Sequence, residues 1–470
     1  MGAAPQPASS GADRVALEID DRATAAATTE ILQRRGVYVA DGPSDDGEAV
    51  VALARKRPIT IDEAAELAEL CMSGAHRRKP LVVLAAWPDE LGDPVERAAA
   101  LGYLRCFGGL VCTDPSTWIE TLVLVARLGL PLGPRLAIVA EPHSLLSAQA
   151  SALEREYSRL GARLSPSLEG ASDDGHDAVL VDIDSVDSRT PTHVGGALVV
   201  PVCSRGELAT ASRPALVDLR HAMAALRGAG RLALRIDQGI GPAPEDAPSS
   251  LGIDRERFDR QLGKLGKSAG DHETKVLLAA YGVDVSRQAV ATTPSAAVRI
   301  AKRAGFPVDI KPWGPDIPSE YDGCPVEREL MTAADVRRGY AAAIGAADLP
   351  SGAAVIVRAS PPPGQELRAE LIDLPEVGWT AVVYLRSRPQ PVAAPAPLSL
   401  ADSRALASAV VATRADDTDL DTTALSDLLT RVSYLVWDHG EDIERLDLGR
   451  ILLPEDGGAM VVDAIARLRR

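Results

Sequence analysis

Residues 305–323 read Gly305-Phe306-Pro307-Val308-Asp309-Ile310-Lys311-Pro312-Trp313-Gly314-Pro315-Asp316-Ile317-Pro318-Ser319-Glu320-Tyr321-Asp322-Gly323. The run VDIKPW reads as a short strand, and the Gly/Pro-rich stretch behind it as a turn. Helical spacing flanks it on both sides, in SAAVRIAKRAGF (295–306) and TAADVRRGYAAAI (332–344). Asp309, inside the strand, calls for a cationic partner, and Lys302 and Arg303 on the preceding helix are within reach in sequence. Lys311 admits two roles: a cation for phosphate, or a strand-end lysine whose stem packs while its head is solvated.

Around this segment the chain reads as a mixed α and β unit. A helix is expected at 272–285, with Gly282 as its cap. Strands are expected at 353–358, 365–374 and 378–385, helices at 399–412 and 423–438, and a closing hairpin over 446–464. The N-terminal half has a different rhythm. Continuous apolar runs at 15–19, 49–54 and 81–86 alternate with helices at 23–35, 61–72 and 115–129. The pattern restarts with strands at 135–140, 178–183, 197–202 and 232–236 around a helix at 144–160. Apolar strands separated by helices imply parallel sheets covered on both faces. The division expected is a disordered tail (1–12), a first α/β domain (13–130), a second (131–236), a linker (237–265) rich in Pro, Gly and acids, and a third domain (266–470).

At 470 residues the chain is too long for one core. Its formal charge of −16 excludes the usual nucleic-acid and anionic-membrane partners. No apolar run is long enough to span a bilayer, and the N-terminus has no signal-peptide core. Cys71, Cys106, Cys112, Cys203 and Cys324 form no CxxC pair and no zinc spacing, which fits reduced thiols in a cytoplasm. Cys324 has no base near it in sequence, Asp173-Asp174 reads as a solvated pair in a loop, and His143 as a surface histidine.

The sequence 305–323 resembles the ATP-grasp module of NDP-forming acyl-CoA synthetases, the acetate–CoA ligase and succinyl-CoA synthetase family. The resemblance runs from about residue 50 to the end. It implies two flavodoxin-like parallel-sheet domains followed by an ATP-grasp α+β domain. The family's CoA-binding Rossmann domain is not visible, since no GxGxxG fingerprint follows the first strand. Either a partner chain, a paralogous CoA-binding or ligase subunit, supplies that domain or it has been lost; a homo-oligomer is the other partner expected, with no nucleic acid or membrane.

Family members pass phosphate from ATP through histidines to an acid. Several stations of that relay are altered here. The first phosphohistidine segment corresponds to 95–114, which holds no histidine. The second histidine, after Pro-Asp-Ile, is Ser319. The phosphate-holding loop of the second flavodoxin-like domain is Glu141-Pro142-His143-Ser144, in which Pro142 lacks an N–H and Glu141 repels phosphate. In the ATP-grasp module, Lys311 stands at the phosphate-contacting lysine, Glu273 and Lys275 on the first helix, and Glu366 beside the ribose. Arg386 and Arg388 replace a Gly-rich loop, either to bind an anion or as solvated edge charges. Pro391–Pro397 offers no metal carboxylate. The terminal acid-x-Asn-Pro becomes Asp447-Leu448-Gly449-Arg450, leaving Asp447 as one remnant metal ligand.

The expected cofactor is left open, with ATP or ADP and Mg2+ as the family's pair. The expectation is a catalytically degenerate homologue serving as a scaffold, regulatory or ligand-binding subunit. The alternative is an active ATP-grasp acid–CoA or acid–amine ligase that works without the histidine relay. The two are separable in the cleft around Lys311: converging carboxylates favour the enzyme, and filling by Trp313, Tyr321 or Arg450 favours the degenerate form.

Overall fold

The computed structural model describes residues 14–469, apart from 41–48, 77–78, 89, 154–161, 166, 187–188, 204–213, 242, 245, 267, 315–316, 347–353, 387 and 413–419. The tail at 1–12 lies outside these residues, as do Pro315, Asp316 and the Arg388 side chain. The chain divides into two compact units, one of Met1–Asp93 with Tyr103–Gly241 and one of Pro94–Gly102 with Pro242–Arg470.

The first unit holds two parallel sheets. The strands of one are β1 (Arg14–Ile19), β2 (Tyr38–Ala40), β3 (Val50–Ala54), β4 (Leu81–Leu84) and β5 (Leu110–Cys112), in the order β2-β1-β3-β4-β5. The other has β6 (Leu136–Val139), β7 (Ala162–Ser165), β8 (Ala178–Asp182), β9 (His193–Val194), β10 (Ala197–Cys203) and β11 (Leu216–Val217). Its order is β11-β10-β8-β6-β7, and β9 adds antiparallel to β10. Both follow the flavodoxin-like order 2-1-3-4-5. Every residue of β3 and β10 is buried, as a central strand covered on both faces requires. The sheets are tied by a buried fork. Arg35 donates to both oxygens of Glu120 at 2.8 Å and to the Ala215 carbonyl at 2.7 Å, while Glu120 accepts from the Val217 N–H at 2.9 Å.

Two expectations are corrected here. Residues 232–236 are not a strand but the end of the helix Leu219–Gln238. Its buried residues, among them Leu219, Ala222, Met223, Leu226, Ala229, Leu232 and Ala233, follow the helical period, which overrides the short apolar run. Asp218 caps this helix by accepting from the N–H groups of Arg220 and His221. Residues 95–114 are ordered as the helix Pro94–Cys106 followed by β5. The helix expected at 272–285 ends at Ala280, and Gly282 takes a left-handed φ of 73° just beyond it.

The second unit packs two antiparallel sheets. The smaller contains β13 (Gln288–Ala291), β14 (Val308–Trp313), β15 (Glu327–Leu330) and β16 (Ala354–Ala359), in the order β13-β16-β14-β15. Helices Pro294–Ala304 and Ala333–Ala346 cover it, around a core that includes Val308, Ile310, Val355 and Val357. The larger contains β12 (Ser268–Ala269), β17 (Gly364–Leu374), β18 (Gly378–Leu385), β19 (Arg388–Pro395), β20 (Ile443–Pro454) and β21 (Met460–Leu468), in the order β12-β21-β20-β17-β18-β19. Strand β19 runs through most of the stretch 391–397, in which the sequence offers no metal carboxylate.

Candidate functional site

Strand alternation sets the site. On β14, Val308 and Ile310 enter the small core, so Asp309 and Lys311 face the other way. Arg358 on β16 lies directly across from Asp309. The larger sheet contributes Asp463 from β21, and the helix Asp271–Ala280 contributes Asp271 and Lys275 one turn apart.

These groups form a buried ion network. Lys311, 2% exposed, donates to Asp463 and, at 3.1 Å, to Asp271. Lys275 pairs with Asp271 at 2.9 Å and donates to Ser286 at 2.9 Å and Gln288 at 2.8 Å. Asp463 accepts the Glu320 N–H at 2.7 Å through its other oxygen. The Arg358 guanidinium reaches Glu320 at 2.5 Å, Asp309 at 3.3 Å and the Val462 carbonyl at 2.8 Å. Arg328 and Arg450 complete the shell of Glu320 at 2.8 Å and 3.4 Å. The network joins the small sheet to the large one through charged side chains.

Two expectations about these residues are corrected. Lys311 is not a solvated strand-end lysine, and Asp309 pairs with Arg358 and Ser360 rather than with Lys302 or Arg303. The titration behaviour follows from the geometry. Burial works against the charge on Lys311, but Asp463, Asp271 and Glu320 outweigh it and raise its pKa. Burial also works against Glu320, yet Arg358 and Lys311 hold it down to about 2. For Lys275, burial is the largest influence and Arg358 and Lys311 add to it, bringing it down to about 8 against the pull of Asp271.

A second set of pairs lies on β17 and β20. Glu366, Arg368 and Glu370 alternate along β17 and therefore share a face. Arg368 forks onto Asp447 at 3.0 and 2.7 Å, approaches Glu370 at 3.2 Å, and stacks 4.1 Å from the Tyr321 ring centroid. Glu366 is held by Arg450 at 2.6 Å and Arg386 at 2.9 Å. Asp447 and Arg450 are three positions apart, so a regular strand would send them to opposite faces. β20 instead carries an extra residue: Ala369 opposes Leu448 while Leu367 opposes Ile451, and the register against β21 slips over the same interval. This bulge turns Arg450 onto the face of Asp447. Gly449 sits in it because a Cβ there would lie 2.6 Å from an Asp463 oxygen and 2.8 Å from the Ser319 Cβ. Ser319 itself is 1% exposed and donates to Asp322 at 2.8 Å.

The structure thus brings Lys311, Glu366, Asp447, Arg386 and Ser319 into one unit and pairs each with side chains of the chain itself. Of the expected fillers, Arg450 occupies Glu366 and Tyr321 covers Arg368, while Trp313 donates to Glu273 at 3.1 Å. These residues do not fit a magnesium ion. Both oxygens of Asp447 are taken by Arg368, and Glu370 is divided between Arg368 and Arg445. Among the described residues no group of three or more His, Cys, Asp or Glu converges as a metal site. Sequence reasoning missed Asp271, Asp463, Arg358, Arg368 and Glu370. The signal was there in the charged alternation of GQELRAELIDL and in single charges within the apolar runs AVIVRA and MVVDA.

Comparison with known proteins bears on this unit. Residues 264–468 match the family described as ATP-grasp domain. A dinucleotide-forming acetyl-coenzyme A synthetase 1 from Ca. Korarchaeum cryptofilum is 26% identical over 46% of this chain and 100% of its own, with a TM-score of 0.41. PH1788 from Pyrococcus horikoshii is 23% identical over 46% of this chain and 98% of its own, with a TM-score of 0.42. ATP citrate lyase from Methanothrix soehngenii is 11% identical over 39% of this chain and 44% of its own, with a TM-score of 0.28.

Proposed function

With residues 264–468 an ATP-grasp domain, we propose that this chain is a non-catalytic relative of the NDP-forming acyl-CoA synthetases, acting as a scaffold or regulatory subunit beside a CoA-binding or ligase partner. The observation that carries the reading is the double pairing on β17 and β20: Arg450 holds Glu366, and Arg368 holds both oxygens of Asp447. Lys311, Glu366, Arg386 and Asp447 are each already neutralised by a neighbour of opposite charge. Engaging a phosphate with Lys311 would strip Asp463 and Asp271 of their shared cation. Leaving a buried charge without its partner costs about 3–5 kcal/mol, which weakens binding by roughly two to three and a half powers of ten.

The alternative, an active ligase without a histidine relay, draws on one feature. Glu370 and Asp447 face each other directly across β17 and β20, so two carboxylates do converge. Arg368 lies between them and the reading as an enzyme requires it to leave. One experiment separates the two: the chain is incubated with Mg-ATP, CoA and a panel of short carboxylic acids, and ADP is measured. The scaffold reading expects no ADP above background. Acid-dependent ADP release, or a phosphorylated side chain after ATP, overturns it.

A further inference from the structure

The second parallel sheet has a crevice at its switch point that the pairs described above do not touch. From β6 the chain moves to β7 on one side and then through β8 to β10 and β11 on the other. The connections beyond β6 and β8 therefore part in opposite directions, and open α/β sheets take ligands in the gap this leaves outside the strand carboxyl ends. A cavity of about 380 Å3 lies there, within the range of small-molecule pockets. Val139, the last residue of β6, and Val181, near the end of β8, line it together with Leu168, and Ser185 adds a hydroxyl. Two carboxylates, Glu141 and Glu169, also line it, and among the described residues neither side chain has a hydrogen-bond or ion-pair partner.

The loop leaving β6 is unsuited to an anion. Pro142 has no N–H to offer, and the Ser144 N–H already donates to the Glu141 carbonyl at 3.1 Å. Two uncompensated carboxylates in one concavity repel anions and attract cations. We infer that this crevice binds a small organic cation, its ammonium group between Glu141 and Glu169 and a short apolar body on Val139, Val181 and Leu168. The site belongs to the first unit and is independent of the fate of the ATP-grasp cleft.

The test is isothermal titration of the full chain with pentylammonium chloride, with sodium pentanoate as the like-shaped anion and ammonium chloride as the cation without a body. Pentylammonium binds saturably and more weakly as salt is raised, ammonium binds less well, and pentanoate does not bind. Glu141→Gln and Glu169→Gln each weaken pentylammonium about tenfold, the scale of one charge-assisted hydrogen bond. Both residues are exposed, so the variants keep the wild-type melting curve, and the salt dependence of the unaltered chain tests the charge without any variant. Equal or tighter binding of pentanoate, unchanged affinity in the double variant, or failure of pentylammonium to bind overturns the proposal.

Discussion

Replacing Asp463 by Asn tests the ion network at its centre. Asp463 is 0% exposed, and its two oxygens serve different partners, Lys311 on one side and the Glu320 N–H on the other. An amide of the same shape has only one acceptor oxygen. Its NH2 group must face either an ammonium or a backbone N–H, so one donor meets another. Charge balance also fails. Asp271 is left as the one carboxylate in direct contact with both Lys311 and Lys275. At 3.1 Å and an effective dielectric near 20, one such contact is worth about 5 kcal/mol before desolvation is counted. Measured costs of breaking a buried pair run to about 3–5 kcal/mol. For a unit of this size, each kcal/mol moves the midpoint by about 2–4 °C, so the transition of the second unit should fall by about 6–20 °C. Differential scanning calorimetry reads this, with urea unfolding of the same variant at neutral pH as a second measure. A loss below about 1 kcal/mol would mean that the pair is as weak as an exposed one, and that the two sheets are not held by charge.

Other consequences follow from the same geometry. Glu320 is depressed to about 2 from an ordinary 4.5, so its contribution is fully present above pH ~4.5 and lost as pH falls towards ~2; an acid titration of unfolding free energy should show this limb, and Glu320→Gln should flatten it at a lower overall stability. Gly449→Ala places a Cβ 2.6 Å from the Asp463 carboxylate and 2.8 Å from the Ser319 Cβ, and urea unfolding should record a loss of about 1–3 kcal/mol; an unchanged midpoint would remove the bulge from the account. Asp218 holds its helix cap at a left-handed φ of 66°, so Asp218→Ala should cost about 1–2 kcal/mol and Asp218→Gly, which loses the cap but relieves the backbone, clearly less. Arg450→Ala frees one oxygen of Glu366 while Arg386 keeps the other, and equilibrium dialysis should still find no tight Mg-ATP binding, because Lys311 remains held by Asp463 and Asp271.

The legible part of this protein was the part written in local periodicity. Buried runs such as VVALA and ALVVPVC specify central parallel strands because both faces are covered. The alternation around Val308 and Ile310 separates a core face from a charged face without knowledge of any partner. The failures had local causes. LALRI at 232–236 looked like a strand in isolation and became helical because Leu219, Met223, Leu226 and Leu232 supply a longer period on the same face. Lys311 looked like a free cation because its partners lie far away in the chain, Asp463 being 152 residues distant.

What the sequence by itself determined is therefore the kind of layers, their order, and the residue types placed beside Lys311. Only the tertiary structure decided what those residues do. Electrostatic pairing depends on distance in space and on desolvation, which no spacing along the chain encodes. One extra residue in β20 turned Arg450 onto the face of Asp447, and the folding of the two sheets against each other brought Asp463 to Lys311.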